Sequence, residues 1–218
     1  MGGVEEIDGT DLGPGAPYDG RAALYDRLIS SRLYNRLAWS TSPADYEEFA
    51  ATAVAESSGP LLEVAAGTAA ATAAIHAAST RPTVLVDLSR DMLERAEARI
   101  AEEGSGATDG VRFVRADLLD LPFEPGGFDT VLALGAAHLF ADLAPLREAL
   151  LAQLAPGGRL HIAGLVAETR RGRAYLRLLE RAGEVAPART ADELQAEMRP
   201  VQFRLEGCMA YAVLERDA

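Results

Sequence analysis

Two carboxylates and a turn of small residues are the part of this sequence best suited to ligand chemistry. Glu63 lies in an apolar run, the turn 65–69 follows it, and Asp87 ends the next apolar run, twenty residues after Gly67. A backbone approaches a ligand closely only where side chains have at most one carbon. Four positions of the turn meet this condition: Ala65, Ala66, Gly67 and Ala69. The layout is typical of a nucleotide-type βαβ unit and predicts an adenosine-containing cofactor.

Apolar runs and helical periodicity alternate on both sides of this turn. Strands are predicted at 61–66, 83–88, 111–116, 129–134 and 159–166, and helices at 68–79, 89–103 and 143–154. Such alternation favours a parallel sheet with helices on both faces. After helices at about 169–182 and 190–199, two strands lie so close in sequence that they must be antiparallel. The fold class is therefore α/β, a Rossmann-like seven-stranded sheet, mostly parallel with an antiparallel C-terminal strand.

The N-terminal part differs from this core in composition. Residues 1–20 hold six glycines and two prolines, which predicts a flexible leader. Residues 21–57 have apolar positions at helical spacing, and we expect an N-terminal helical cap there that is mobile over the site. Residues 58–218 then form the cofactor-binding core, within a single domain overall.

In order and spacing, these segments resemble the class I S-adenosylmethionine-dependent methyltransferases, especially the small-molecule group related to the ubiquinone and menaquinone methyltransferases. The resemblance covers roughly residues 20–166. That family usually carries Glu/Asp-x-Gly-x-Gly-x-Gly, where this chain has Glu63-x-Ala65-x-Gly67-x-Ala69. A methyl group is sterically modest, so we expect cofactor binding to survive both alanines.

The resemblance implies S-adenosylmethionine as cofactor and S-adenosylhomocysteine as product. Asp87 would accept hydrogen bonds from both ribose hydroxyls, with capping of the next helix as its alternative role. Glu63 would meet the ammonium group of the cofactor, directly or through water, and Asp117 with the Leu118 amide would recognise the adenine, unless Asp117 is a solvated loop acid. The remaining predicted cofactor contacts are Ala65, Ala66, Gly67, Leu88, Met92, Leu134 and Gly135. Of these, Leu88 and Met92 could equally be ordinary core.

Substrate contacts are predicted from the loop after the fourth strand and from the N-terminal helices. His138 lies where the transferable methyl group is expected, and an imidazole exchanges protons near neutral pH. Its role is that of a general base or a substrate hydrogen-bonding group, against that of a helix cap or loop contact. Tyr25, Tyr34 and Trp39 are candidate substrate contacts that could instead be simple helix packing.

Composition narrows the partners. With 33 acidic against 21 basic residues, the net charge is -12, which disfavours nucleic acid and leaves a small-molecule acceptor. The sequence has no apolar stretch long enough for a membrane span and no secretory signal, so a cytoplasmic location without membrane contact is expected. No metal-ligand spacing occurs, and a homodimer stays open.

The sequence therefore predicts a methyltransferase (EC 2.1.1) acting on a small organic acceptor of secondary metabolism, at an oxygen, nitrogen or carbon atom. A first alternative is a cyclase or other non-methylating enzyme that keeps the same cofactor site. A second alternative, of another class, is a non-catalytic small-molecule-binding or regulatory protein.

Overall fold

Residues 3–6, 39, 41–104, 108 and 110–216 are described in the computed structural model of the protein. The strands are β1 (Glu5–Glu6), β2 (Leu61–Val64), β3 (Thr83–Asp87), β4 (Val111–Arg115), β5 (Phe128–Leu134), β6 (Leu154–Leu165), β7 (Gln202–Glu206) and β8 (Met209–Glu215). The helices are α1 (Pro43–Ala55), α2 (Ala73–Ala78), α3 (Arg90–Glu103), α4 (Ala144–Gln153), α5 (Arg170–Arg181) and α6 (Ala191–Met198), with a 3₁₀ turn at Ala137–Leu139. Within these residues, none of the helices is both long and apolar enough to cross a membrane.

All the strands belong to one sheet, in the order β1-β4-β3-β2-β5-β6-β8-β7. Neighbouring strands pair in parallel except at β8, which is antiparallel to both β6 and β7. The predicted α/β fold with an antiparallel C-terminal strand is confirmed. The two-residue β1 is an addition at the sheet edge, so the segment predicted as a flexible leader contains one ordered element.

The central strands are buried along almost their whole length. All four residues of β2 are buried, as are six of the seven residues of β5. Continuous apolar strands are typical of a parallel sheet that helices cover on both faces. In such a sheet the loops that follow β2, β3, β4 and β5 meet at one edge, where open α/β sheets bind ligands.

Helix α1 is fixed to the sheet. Its Ala50 and Ala53 are fully buried in the cluster that contains Leu132 of β5. At its carboxyl end the buried Arg81 guanidinium donates hydrogen bonds to the carbonyl oxygens of Ala53 and Val54. This part of the predicted cap therefore packs on the core of the sheet, and its mobility stays a prediction. Residues 7–38, which include most of the predicted leader and cap, lie outside the described residues.

Helix α2 begins later than predicted. The periodicity suggested a helix from residue 68, whereas the structure has turns up to Thr72 and helix from Ala73. The reason is the backbone of Ala69, whose φ of 51° is incompatible with a right-handed helix. The small-residue loop is therefore longer than its sequence pattern indicated.

Candidate functional site

The loop between β2 and α2 has an alternating left-handed backbone. Positive φ angles occur at Ala65 (50°), Gly67 (55°) and Ala69 (51°). This conformation costs a non-glycine residue about 1–2 kcal/mol, because its Cβ comes close to backbone oxygen. One reason for the small residues of this loop is the room that a ligand needs there. The structure gives a second reason, since three of these positions have a left-handed backbone, which disfavours larger side chains. Backbone strain of this kind is concentrated at functional sites.

The strain predicts opposite effects for neighbouring substitutions. Ala65→Gly is expected to raise the free energy of unfolding by about 0.5–1 kcal/mol, since relief of the left-handed strain exceeds the added unfolded-state entropy. Ala69→Gly should leave the free energy of unfolding nearly unchanged. Ala69 is 2% exposed, so the substitution removes a buried methyl group, and this loss offsets the relief of strain. The control is Ala66→Gly, at a position whose φ is not positive, which should lose about 0.5–1 kcal/mol. Denaturant unfolding measures all three, and destabilisation by Ala65→Gly would contradict the assignment of strain.

Asp87 lies at the end of β3, directly beside this loop. Its Oδ2 accepts a hydrogen bond from the Gly67 amide at 2.8 Å, and its Oδ1 accepts one from the Ser89 amide at 2.9 Å. The second bond forms an Asx-type turn that precedes α3, and the N-cap of that helix is Ser89, whose side chain accepts a hydrogen bond from the Met92 amide. A carboxylate has about four acceptor positions on two oxygens, a geometry that suits the two donors of a vicinal diol.

The space above Gly67 is open. A Cβ built on Gly67 meets no heavy atom within 4 Å among the described residues. Ala65, Ala66 and Gly67 are all partly exposed, so the backbone of the loop can contact a ligand there. The exposed backbone of this loop and the adjacent Asp87 carboxylate together form a surface suited to a ribose and the groups attached to it.

Two side chains hold the loop from below. Arg99 of α3 donates to the carbonyl oxygen of Thr68 at 2.7 Å and to its Oγ1 at 2.8 Å. Glu63 is 2% exposed and accepts hydrogen bonds from Thr72 Oγ1 at 3.1 Å and His76 Nε2 at 2.5 Å. The partner that a buried carboxylate requires is therefore supplied by the chain itself.

The predicted adenine contacts lie along the same edge of the sheet. Asp117 is exposed, and its Oδ1 accepts a hydrogen bond from the Leu119 amide at 2.9 Å, which makes a local turn. Leu118 is partly buried, and Leu88 is 36% exposed and can form an apolar wall. Met92 is only 3% exposed, so it offers a ligand little surface.

The end of β5 brings three elements together. Leu134 is 8% exposed, and Gly135 after it has a φ of 73°. A Cβ built on Gly135 would stand 3.0 Å from the hydroxyl oxygen of Tyr46 and 3.9 Å from His138 Cε1. Tyr46, on the first turns of α1, is therefore a residue of the site that the sequence did not reveal.

His138 is held as a neutral imidazole. Its Nδ1 accepts a hydrogen bond from the Leu165 amide at 3.4 Å, which leaves the ring hydrogen on Nε2. Burial, and secondarily the positive charge of Arg189, lower the pKa of His138 to about 4. The ring therefore presents an N–H donor near neutral pH, and of the two predicted roles this geometry favours substrate hydrogen bonding.

Arg189 fixes the turn that carries His138. Its guanidinium is 7% exposed and donates to the carbonyl oxygens of Ala137 at 2.8 Å, Phe140 at 2.7 Å and Ala141 at 3.1 Å. The sequence gives no signal for this role, since Arg189 is a single arginine between two helices and about fifty residues from its partners.

Of the predicted aromatic contacts, only Trp39 lies among the described residues. Trp39 is 4% exposed and packs on Tyr175, with the ring centroids 5.0 Å apart. Its ring is thus part of the core, which corrects the prediction of a ligand-facing tryptophan. Tyr25 and Tyr34 lie outside the described residues.

Over the described ranges of the chain, no group of three or more His, Cys, Asp or Glu side chains is arranged to hold a metal ion.

The strand order of the sheet, together with the loop 65–69 after β2, is typical of the class I methyltransferase fold. A family model described as a methyltransferase domain matches residues 61–158. This match to a methyltransferase domain agrees with the sequence resemblance for this part of the chain.

Among curated proteins, a demethylmenaquinone methyltransferase of Clavibacter sepedonicus is 41% identical over 103 residues. That match covers 47% of this chain and 39% of the relative. A protein from Synechococcus is matched over 28% of its length, so the chain spans well under half of these curated relatives.

Solved structures match over nearly the whole chain but at low identity. Geranyl diphosphate C-methyltransferase from Streptomyces coelicolor A3(2), in complex with Mg²⁺, geranyl-S-thiolodiphosphate and S-adenosyl-L-homocysteine, has a TM-score of 0.67 and 16% identity, over 98% of this chain and 86% of that one. The complex between the Haloferax volcanii Trm112 methyltransferase activator and a methyltransferase gives a TM-score of 0.68 and 17% identity, over 94% of this chain and all of the matched chain. These similarities concern the fold.

Proposed function

We propose that this protein binds S-adenosylmethionine at the carboxyl edge of its sheet and transfers the methyl group to a small organic acceptor. The observation that carries the proposal is the loop 65–69, with three positive φ angles and with its Gly67 amide bonded to Asp87. An ordinary turn does not require two alanines in a left-handed conformation. Non-glycine residues held in this conformation are concentrated at active sites and ligand-binding loops.

The residues of the edge fit the parts of the cofactor in the order along the sheet. Asp87 would accept the ribose hydroxyls, and Asp117 with the Leu118 amide would bind the adenine beside Leu88. The backbone at Leu134 and Gly135 would face the methionine portion. The similar geranyl diphosphate C-methyltransferase, solved in complex with S-adenosyl-L-homocysteine, supports this assignment of the ligand.

When bound, S-adenosylmethionine supplies an electrophilic methyl group on a positively charged sulfur. The contribution of the protein is then to hold the attacking atom of the acceptor in line and to limit water at the site. Tyr46 and His138 stand at the end of β5, where hydrogen bonds to an acceptor would orient it. Their neutral side chains suit an uncharged polar group of the acceptor.

The acceptor class follows from charge and from the relatives. A chain with a net charge of -12 repels phosphate backbones, which argues against nucleic acid. The matched relatives are described as acting on demethylmenaquinone and geranyl diphosphate, which are small organic molecules. We infer an acceptor of comparable size, in secondary metabolism, for an enzyme of the cytoplasm.

Calorimetry with purified protein tests the cofactor assignment. S-Adenosylmethionine and S-adenosylhomocysteine are expected to bind, whereas NAD, which has a pyrophosphate where the methionine portion would lie, is not. Binding of NAD with no binding of S-adenosylhomocysteine would refute the proposal. With a true acceptor, S-adenosylhomocysteine must accumulate in step with methylated product. Turnover of the acceptor without formation of S-adenosylhomocysteine would identify a non-methylating enzyme on this fold.

A further inference from the structure

We propose that Glu63 is a positioning residue that, through His76 and Thr72, holds the loop 65–72 in its ligand-binding conformation instead of binding the cofactor's ammonium group. The inference rests on the proposed function, since it concerns the same cofactor site. It assigns a purpose to His76, which the sequence analysis leaves without a ligand role.

The three side chains form a buried link across the loop. Glu63, Thr72 and His76 are 2%, 1% and 2% exposed. Glu63 lies on β2 before the loop, whereas Thr72 and His76 lie after it. The hydrogen bonds at 3.1 and 2.5 Å therefore join the two ends of a segment that contains all three positive φ angles around Gly67.

Residues 66–68 are held from other elements, by Val86, Asp87 and Arg99. The backbone hydrogen bonds of residues 69–72 are local, so Glu63 provides the link to this second half of the loop. The Ala69 amide donates to Ala66 at 3.0 Å, and the Thr72 amide donates to Ala69 at 3.1 Å. Ala65 and Ala69 each favour relaxation toward negative φ. That relaxation would displace the Gly67 amide from Asp87, and the ribose contacts would be lost with it.

Burial also separates Glu63 from a ligand. Each of its carboxylate oxygens accepts a hydrogen bond from the region of α2, and a side chain that is 2% exposed presents almost no surface to an ammonium group. Because a carboxylate only accepts hydrogen bonds, the contact places a hydrogen on His76 Nε2. The His76 Nδ1 atom has no hydrogen-bond partner in the described structure, so Glu63 is the polar contact that holds the ring.

The experiment compares two ligands in two variants, Glu63→Gln and His76→Leu. S-Adenosylhomocysteine carries the ammonium group, and 5′-methylthioadenosine has the same nucleoside without the amino acid portion. The matched control is His161→Leu, a buried histidine on β6 whose Nε2 bonds to Glu56 at 2.9 Å, away from the loop. Calorimetry gives both affinities, and amide hydrogen exchange of residues 66–73 without ligand reports on the loop itself.

We expect His76→Leu and Glu63→Gln to weaken both ligands by the same factor, on the order of 10-fold, the low end of what loss of supporting hydrogen bonds costs at metal sites. Amide exchange in the loop should become faster in both variants and stay unchanged in His161→Leu. A loss for S-adenosylhomocysteine alone in Glu63→Gln would overturn the proposal, because Glu63 would then contact the ammonium group. Unchanged loop exchange in folded His76→Leu would overturn it as well. If the unaltered protein binds neither ligand, the proposed function fails, and loop exchange still decides whether the link holds the loop.

Discussion

Asp87→Ala is expected to lower the affinity for S-adenosylhomocysteine by roughly 10- to 100-fold, since a hydrogen bond to a charged group contributes about 1.5–3 kcal/mol. The substitution removes the acceptor for the ribose hydroxyls. It also releases the Gly67 amide, which Asp87 holds at 2.8 Å. Because Asp87 is only partly buried, water can satisfy the freed amides and the protein should remain folded. Calorimetry measures the affinity, and circular dichroism checks the fold.

The matched control for Asp87 is Asp91→Ala. Asp91 is exposed in the first turn of α3, four residues further along, and its removal changes the net charge by the same amount. Its substitution should leave the affinity near that of the unaltered protein. An equal loss in both variants would attribute the effect to overall charge and contradict the assignment of Asp87 to the ribose.

The parallel core could be predicted because buried strands are continuous apolar runs. The predicted 83–88 and 111–116 are observed as Thr83–Asp87 and Val111–Arg115. The start of β6 was missed, because Pro156, Gly157 and Gly158 are typical of a turn. In the structure they belong to a strand whose pairing with β5 shifts register between Phe128 and Thr130. A local irregularity of this kind depends on the neighbouring strand and leaves no periodic signal.

The residues of the candidate site likewise fall into two groups, those that local sequence spacing predicts and those that only tertiary packing brings together. Gly67 and Asp87 could be found because their spacing is set by the local geometry of a βαβ unit. Tyr46 and Arg189 could not, because each is a single polar residue on a distant segment. Arg189 bonds to carbonyl oxygens 48–52 residues away. Only the tertiary packing of α1 and of the segment before α6 brings them to the end of β5.

His138→Ala is expected to lower kcat/KM for methyl transfer by about 10- to 100-fold, while His138→Gln keeps it within several-fold of the unaltered enzyme. The reason is that a neutral imidazole with its hydrogen on Nε2 orients the acceptor as a donor, and glutamine retains an N–H donor. Steady-state kinetics on both variants measure this. The affinity for S-adenosylhomocysteine should stay nearly unchanged, because His138 acts on the acceptor.

The pH dependence distinguishes this donor role from general-base catalysis. Burial lowers the pKa of His138 to about 4, so the neutral ring persists as the pH falls and protonation begins only on approach to that value. His138 should therefore add no inflection to kcat/KM between about pH 5 and 8. A histidine with the unperturbed pKa near 6.5 would add one in this range. A base of such low pKa is also a poor proton acceptor for a neutral hydroxyl or amine. An inflection near pH 6.5 that disappears in His138→Gln, with turnover lowered by roughly 10²–10⁴ in both variants, would instead identify His138 as the general base.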